Sequence, residues 1–361
     1  MVNFANWPYY IDRRRDNSHP SLELFTKSTG IRVEYTRPIR DNARFLERIA
    51  ADLGQFLPTG YDLIVMTNGP ELSTLIDRGW LIPLDHSRLP NFRDNASAIV
   101  RDPVWDPGNR YSVAWQSGFT GIAYRPEAAE ALGREPGRLQ DLFDPALRGR
   151  VGMMNDLLDL GSFGLLALGI DPADSTPDRW REAASVLAEQ RAAGLVRNYF
   201  DQSYLSALQK GDVWVSQAWS GDIYQANRLG HPELRFVVPD EGLMFWTDNL
   251  LIPRGAQHPV DALELMNFVY EPRVAAMIAD WVWYVCPVPA ARPIVRHDLE
   301  DPVVAKSALV FPTSDLLGRS VDVGQGRRLL VGSPLRSYPP LATEQERLTW
   351  QRTFAPIANV G

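Results

Sequence analysis

The chain has 361 residues, which is enough for two domains at roughly 100 to 200 residues each, and 45% of its residues are hydrophobic. Its 37 Lys and Arg against 44 Asp and Glu give a net charge of -7, which argues against a general nucleic-acid or anionic-membrane binder. One cysteine, Cys286, excludes an internal disulfide, and five scattered histidines lack zinc-ligand spacing, so we expect no metal or other cofactor.

The chain begins MVNFANWPYYIDRRR, with strand-like sequence before the arginines, the reverse of the order in a signal peptide. We therefore expect a mature chain behind an added Met. The sequence contains no stretch of 18 apolar residues, so it predicts no membrane span.

The first 80 residues alternate between strand-like and helix-like sequence. Such alternation predicts βαβ units and a mostly parallel sheet. The predicted strands are VNFANW (2–7), IRVEYT (31–36) and YDLIVMT (61–67), and the predicted helices are SLELFTKSTG (21–30), NARFLERIAADL (42–53) and PELSTLIDRG (70–79).

A second α/β unit is predicted from about residue 112. Its predicted strands are YSVAW (111–115), TGIAYR (120–125), RVGMMN (150–155) and VWVSQAW (213–219). Its predicted helices are DLLDLGSFGLLALG (156–169), PDRWREAASVLAEQRAAG (177–194), QSYLSALQKGD (202–212) and SGDIYQANRLG (220–230).

A further strand is predicted over 243–252, followed by two helices over 259–285 that are separated at Glu271-Pro272, because proline disfavours helix at the residue before it. The last 60 residues are Pro-rich, with a helical signal near 343–354. No internal repeat is found.

Aromatic and acidic residues gather where predicted elements end, which is where open α/β sheets present ligand-binding groups. Trp7 and Tyr10 follow the first strand in NWPYY, where packing would also explain them. In NDLLD, Asp156 and Asp159 are three apart on one helix face, a pattern that also suits a helix N-cap followed by an acid in the first turn.

Two more such places follow along the chain. In AWSGDIY, Trp219 ends a strand and Asp222 enters the next helix, where the acid would also serve as a cap. In ADWVWYVCPVP, Tyr284 lies where a helix gives way to a Pro-broken loop, and such helix-spaced aromatic residues also pack in cores.

The stretch EGLMFWTDNLLIPRG places Trp246 and Asp248 two apart in an apolar strand, so both side chains point to one face. An unpaired carboxylate in a core strand carries a desolvation cost of several kcal/mol. No Lys or Arg follows until Arg254. Either a distant arginine or a bound ligand must neutralise this acid.

These candidates are indoles, phenols and carboxylates, with no convergent His, Cys or Lys. Indole faces attract a cation by about 0.5 to 2 kcal/mol each, and a carboxylate gains about 1.5 to 3 kcal/mol from each hydrogen bond with an ammonium group. The composition therefore suggests a diamine or polyamine ligand.

Several segments resemble the spermidine- and putrescine-binding proteins of bacterial ABC importers: FANWPYYID, LFTKSTGIRVEY, YDLIVMT, WSGDIYQA and EGLMFWTDNLLIPRG with the sequence after it to about 295. The resemblance implies a type II periplasmic-binding-protein fold, with two α/β lobes, a hinge and a ligand cleft between the lobes. The expected lobes are 1–112 plus about 247–300, and 113–246 plus about 301–361.

The resemblance also implies a role for each candidate residue. Trp7 and Tyr10 would line the amine-binding box, and Asp159, with Asp156 beside it, would take one end of the ligand. Trp219 would stack on the aliphatic chain of the ligand, and Asp222 matches an acid of the putrescine-type members. Trp246 would form the other aromatic wall, Asp248 would be the principal carboxylate, and Tyr284 would close the site.

The chain departs from the family pattern at two places. Pro8 stands where members usually offer a hydroxyl, and NGPE follows DLIVMT, leaving Thr67 and Asn68 as substitutes for the usual polar or aromatic residue. The RRRDNSHPS segment and the C-terminal tail resemble additions.

The implied protein is a non-enzymatic, monomeric receptor that closes on a polyamine and presents it to the transmembrane subunits of an ABC permease. It would be exported, and either periplasmic or lipid-anchored. One alternative is a binding protein of the same fold whose ligand is a sugar, a quaternary amine or ferric ion. Another is a hydrolase that uses paired Asp residues as acid and base, but the sequence has no local motif for a nucleophile or an oxyanion site.

Overall fold

A computed structural model describes residues 1–313, 319–322, 328–331 and 334–358 of the chain. It divides into two compact units. Unit 1 comprises Met1–Ser117 and Thr247–Phe311, and unit 2 comprises Gly118–Trp246 and Pro312–Gly361. The chain thus passes between the units three times.

Strands and helices alternate along most of the chain, which confirms the prediction of an α/β protein. The strands are β1 Val2–Ala5, β2 Val33–Thr36, β3 Leu63–Thr67, β4 Ser112–Tyr124, β5 Val151–Met154, β6 Val196–Phe200, β7 Val215–Trp219, β8 Arg235–Val237, β9 Leu243–Leu251, β10 Arg319–Asp322, β11 Arg328–Val331 and β12 Leu335–Arg336.

The helices occupy the connections and the C-terminal region. They are α1 Pro20–Thr29, α2 Asn42–Gly54, α3 Pro70–Asp77, α4 Pro90–Asn95, α5 Pro126–Leu132, α6 Leu157–Ala167, α7 Pro177–Ala192, α8 Tyr204–Lys210, α9 Ser220–Arg228, α10 Pro259–Phe268, α11 Pro272–Val282, α12 Ala291–His297, α13 Pro302–Lys306 and α14 Glu344–Ala358. Within the described part of the chain, none of these has the length and hydropathy needed to cross a bilayer.

In unit 1, β1 lies between β2 and β3 and is parallel to both. β3 then pairs in antiparallel fashion with the second half of β9, and this register sets Thr67 directly opposite Asp248. The side chains of β3 from Leu63 to Met66 are buried, as expected for a strand covered on both faces. A polar residue thus ends an otherwise apolar strand.

In unit 2, the second half of β4 pairs with β7 and with β8, antiparallel in both cases. β7 is parallel to β5, which is parallel to β6. The β4–β7 register sets Thr120 opposite Trp219, the last residue of β7. As in unit 1, a threonine faces a predicted site residue across a strand pair.

The core of unit 2 joins the helices α6, α7 and α14. Trp350 of α14 packs edge to face on Trp180 of α7, with ring centroids 5.2 Å apart, and its indole N–H donates to the carbonyl of Leu157 at 3.1 Å. Gly161 of α6 provides the room for this ring, since a Cβ at Gly161 would lie 2.3 Å from Trp350. The C-terminal helix therefore packs on the same helix that carries Asp159.

The structure differs from the sequence prediction in β4, which runs unbroken where two strands with a gap between them were expected. The predicted gap contains Gly118, which usually weakens a strand. Here the glycine is required by packing, because a Cβ at this position would lie 2.3 Å from Cζ2 of Trp246. The strand therefore continues, with the indole ring occupying the space above the glycine.

Gly118→Ala should lower the free energy of unfolding by about 1 to 3 kcal/mol, because the added methyl group must displace the Trp246 ring from a packed site. Urea denaturation monitored by tryptophan fluorescence measures the change. Gly137→Ala is the matched control in the same unit, since a Cβ added at Gly137 would meet no atom within 4 Å. Equal stability of the two variants would contradict this account of Gly118.

Candidate functional site

Unit 1 contains a buried acid, Asp248, in the middle of β9. This residue is only 4% exposed. The Thr67 hydroxyl donates to its Oδ1 at 2.6 Å, and the side chain of Tyr10 also hydrogen-bonds to it. Burial raises the pKa of the Asp248 carboxyl to about 6, while these two hydrogen bonds lower it. The group is therefore ionised at neutral pH despite its burial.

The direction of the Thr67 hydrogen bond is set by a neighbour. The amide of Asn42 donates to the Thr67 hydroxyl oxygen at 2.9 Å. A hydroxyl has a single proton, so the proton of Thr67 is available for Asp248. The Asn42 amide, the Thr67 hydroxyl and the Asp248 carboxylate thus form a chain of hydrogen bonds that links α2, β3 and β9.

Two aromatic residues meet beside this acid. Tyr10 and Tyr284 pack edge to face, with ring centroids 5.1 Å apart and planes at 88°. Each follows a residue in the left-handed backbone region, Tyr9 with φ 57° and Trp283 with φ 58°. A residue other than glycine in this region costs of order 1 to 3 kcal/mol, a cost typical of functional sites. The backbone turns at Tyr9 and Trp283 therefore determine the direction in which the Tyr10 and Tyr284 side chains leave the backbone.

Asn68 and Trp7, two other predicted site residues of unit 1, form hydrogen bonds with residues other than Asp248. The backbone N–H of Thr247 donates to the side chain of Asn68 at 2.7 Å, and Asn68 N–H donates to the Thr247 carbonyl, so Asn68 links two strands. Trp7 is half-buried, its backbone N–H donates to Asn6, and its indole Nε1 has no hydrogen-bond partner among the described residues. Their binding roles stay predictions.

Unit 2 contains a second buried acid, Asp159, in the first turn of α6. Trp219 Nε1 donates to its Oδ2 at 3.1 Å, and the Tyr338 hydroxyl donates to its Oδ1 at 2.6 Å. The Thr120 side chain also hydrogen-bonds to it. Burial raises the pKa of Asp159, and the three hydrogen bonds act in the opposite direction, that of Tyr338 most strongly.

Trp246 belongs to this second cluster through Thr120. Its Nε1 donates to the Thr120 hydroxyl at 3.1 Å, and its ring lies edge to face with Trp219 at 6.4 Å. Because Thr120 accepts this indole proton, its own hydroxyl proton is available for the hydrogen-bonded pair of Asp159 and Tyr338. The structure thus brings Asp159, Trp219 and Trp246 together in unit 2, with Thr120 as the connecting residue.

The two remaining acids of unit 2 have structural partners. Asp156 is the N-cap of α6, and its Oδ1 accepts the backbone N–H groups of Leu158 and Asp159 at 2.9 Å. Asp222 accepts from the Tyr204 hydroxyl at 3.0 Å, and that hydroxyl in turn accepts the backbone N–H of Trp219. These contacts orient α6 and Trp219, and a ligand role for either acid stays a prediction.

Asp248 and Asp159 share one electrostatic property. Within the described residues, neither accepts a hydrogen bond from Lys, Arg or His, and every identified donor to them is a neutral hydroxyl or indole group. The described residues also hold no group of three or more His, Cys, Asp or Glu suited to a metal ion. The arrangement suits a cationic organic ligand that supplies its own N–H donors.

Two members of the unit 2 cluster were not predicted from the sequence. Thr120 has a weak sequence signal, since it is one of several polar residues in β4. Tyr338 lies in the Pro-rich tail, 179 positions from Asp159 in the chain, and no local pattern indicates that contact. Tyr204 was assigned to a helix without a role, although its hydroxyl joins Asp222 to Trp219.

Comparison with known proteins gives consistent matches. A family model described as bacterial extracellular solute-binding protein matches residues 22–310. A putrescine/cadaverine-binding protein of Pseudomonas aeruginosa is 30% identical over 275 residues, covering 72% of this chain and 77% of the relative. A spermidine/putrescine-binding periplasmic protein of Escherichia coli is 28% identical over 315 residues, covering 87% and 84%.

A solved structure matches as well. The spermidine/putrescine ABC transporter substrate-binding protein of Streptococcus pneumoniae aligns with a TM-score of 0.75 over 99% of this chain and 98% of that one, at 21% sequence identity. At this identity the likeness shows the fold.

Asp248→Asn should raise the free energy of unfolding of the ligand-free protein by about 2 to 3 kcal/mol at neutral pH, because it removes a buried charge. The pKa of Asp248 is raised in the folded state, so folding takes up protons between pH 3.8 and about 6, and the cost of the charge develops as pH rises through this window. Urea denaturation at several pH values measures the effect.

The stability gain should shrink as the pH falls below about 6, where the wild-type carboxyl becomes protonated in the folded state, and should be small near pH 3.8. Asp94→Asn is the control, because Asp94 is exposed and its carboxylate contacts the neighbouring Arg93. A gain for Asp248→Asn that does not depend on pH would contradict a buried charge as its cause.

Proposed function

The chain belongs to the bacterial extracellular solute-binding proteins, and we propose that within this family it is a receptor for polyamines. The structural likeness confirms the predicted periplasmic-binding-protein fold. The ligand proposed is a slender aliphatic cation of the putrescine or spermidine type.

The observation that carries this proposal is the Asp248 carboxylate. It is buried, ionised at neutral pH and bonded to the neutral hydroxyls of Thr67 and Tyr10. A carboxylate has about four acceptor positions, so two remain for an ammonium group, which carries three N–H donors. An ammonium ion would both neutralise the charge and use these positions, with charge-assisted bonds of about 1.5 to 3 kcal/mol each.

The aromatic residues support an aliphatic cation in particular. In unit 1 Tyr10 contacts Asp248 and packs on Tyr284, and in unit 2 Trp219 contacts Asp159 and packs on Trp246. Ring faces attract cations and cover methylene groups without requiring hydrogen bonds. Each unit thus offers one buried carboxylate with aromatic neighbours, an environment that suits an ammonium group on an apolar chain.

A neutral sugar fits this chemistry poorly. It would leave two buried carboxylates without a countercharge, and an uncompensated buried charge is strongly unfavourable. The names of the curated relatives from Pseudomonas aeruginosa and Escherichia coli, which specify putrescine, cadaverine and spermidine, favour the cationic ligand.

The biological role proposed follows from the family. The protein would act outside the cytoplasm, in the periplasm or tethered to the membrane by a lipid, as a monomer. It would deliver the polyamine to the transmembrane subunits of an ABC permease, and it would carry out no reaction on its ligand. Periplasmic and ABC-transporter relatives support this role.

Isothermal titration calorimetry should detect binding of putrescine, cadaverine, spermidine or agmatine, and no binding of neutral sugars. Asp248→Asn should weaken amine binding by at least a hundredfold, because it removes the charge and two acceptor positions. Trp246→Ala should weaken it by about tenfold through loss of the ring.

The control is Asp94→Asn, which removes an equal charge from the surface of unit 1 and should leave affinity within twofold. Amine binding at wild-type affinity by Asp248→Asn would remove Asp248 from the site. Binding of a sugar and of no amine would overturn the proposed function.

Amine affinity should also depend on pH. A cation binds the ionised carboxylate, and the pKa of Asp248 is about 6, so affinity should be nearly constant above pH 7 and fall about tenfold per pH unit below 6. Calorimetry with putrescine between pH about 5 and 8 tests this, because the diamine stays fully protonated there. Affinity that does not change across this range would contradict the role of Asp248.

A further inference from the structure

The segment 334–358 contributes to the acid cluster of unit 2, although it lies beyond the residues that match the family model. β12 pairs with the start of β9, with Leu335 opposite Leu243. Three residues after Leu335, the Tyr338 hydroxyl donates to Asp159 at 2.6 Å. Farther along, Trp350 donates to the Leu157 carbonyl. The segment therefore contacts the first turn of α6 at two separate points.

We propose that Tyr338 is a positioning residue for the cation site of unit 2: its hydroxyl orients the Asp159 carboxylate and keeps it charged and ready for an ammonium group. The inference rests on the proposed function. It assigns to a residue of the C-terminal segment a part in ligand binding through its hydrogen bond with Asp159.

The number of acceptor positions supports this role. Within the described residues, Tyr338 and Trp219 fill two of the roughly four acceptor positions of the Asp159 carboxylate, and the Thr120 hydroxyl lies against both Asp159 and Tyr338. These neutral donors therefore set the direction from which an ammonium can approach. Asp248 has two such donors and is less restricted.

The charge of Asp159 depends on the same bond. Burial raises its pKa, and the Tyr338 hydrogen bond is the largest opposing effect. Burial and the nearby Asp159 raise the pKa of Tyr338 well above its usual value, so the phenol keeps its proton and remains a donor. Loss of this bond must therefore raise the pKa of Asp159 further.

Other charged groups near Asp159 act in the same direction as burial or are engaged elsewhere. Asp156 begins the same helix, and Asp222 lies behind Tyr204; both are acids. Arg336, two residues before Tyr338, pairs with Asp171 at 3.7 Å. Within the described residues the neutral donors thus carry the stabilisation of the Asp159 charge.

Tyr338→Phe tests the proposal, because it removes only the hydroxyl. Putrescine affinity would be measured by calorimetry from pH about 5 to 9, together with urea denaturation to confirm folding. A charge-assisted hydrogen bond corresponds to about one to two pKa units, so the pKa of Asp159 should rise by that amount in the variant. Its affinity should therefore fall more steeply than that of the wild type as the pH is lowered, by up to about tenfold to a hundredfold at the acidic end of the range.

Tyr199→Phe is the matched control. Tyr199 is a buried tyrosine of the same unit whose hydroxyl has no hydrogen-bond partner among the described residues. Its variant should keep the wild-type pH profile. A Tyr338→Phe profile that matches the wild type, or that is lower by one constant factor at every pH, would overturn the positioning role.

A double-mutant cycle separates the bond from general damage to the fold. In the Asp159→Asn background, adding Tyr338→Phe should change putrescine affinity by less than about twofold, since the charged partner is already gone. A further large loss would contradict the proposal. Failure of the wild type to bind any amine would overturn the proposed function and this inference with it, whereas amine binding with an unshifted Tyr338→Phe profile would overturn the inference alone.

Discussion

The central constraint on this protein is a buried carboxylate that the described residues hydrogen-bond but do not neutralise. Asp248 has hydroxyl partners in Thr67 and Tyr10, and these reduce the cost of burying its charge without cancelling the charge. An arginine in their place would form a closed ion pair and leave nothing for a ligand cation. The surrounding strands therefore supply donors that are polar and neutral.

The two units meet this constraint in the same way with different elements. In unit 1 an amide N–H of Asn42 is donated to Thr67, whose proton is left for Asp248. In unit 2 the indole N–H of Trp246 is donated to Thr120, whose proton is left for the hydrogen-bonded pair of Asp159 and Tyr338. Each threonine is held opposite its partner strand by sheet register, so the position of the donor is set by backbone pairing. Such preorganisation leaves the acids aligned before any ligand arrives.

Much of this could be predicted from the sequence where the signal is local. Apolar strands ending in polar residues, helix starts and the Glu271-Pro272 break all depend on neighbours in the chain, and the structure has them close to the expected positions. The acidic residue in an apolar strand, Asp248, stood out because its burial conflicts with its charge. The unbroken β4 was missed because the reason for Gly118, the ring of Trp246, comes from a distant strand.

The residues that were missed or assigned differently share a physical cause. Tyr338 and Thr120 matter through contacts made only after folding, and neither has a sequence pattern that distinguishes it from an ordinary core or loop residue. Asn68 is a ligand candidate by position, and its amide oxygen already accepts the backbone N–H of Thr247. Local chemistry identifies which residues are able to bind a ligand, and tertiary contacts decide which of them remain available.

The number of neutral donors around each acid has both a lower and an upper limit. With fewer hydrogen bonds, the pKa of a carboxyl as buried as Asp159 would rise further, so the acid would hold its proton more strongly and attract a cation less. With more donors, or with charged ones, the acceptor positions would be filled and the ligand would have to displace them. Two or three hydroxyl and indole donors lower the pKa of the buried acid and still leave room for a ligand donor. The proposed cation site needs both, which explains why, among the described residues, tyrosine, threonine and tryptophan and not arginine or lysine donate to these acids.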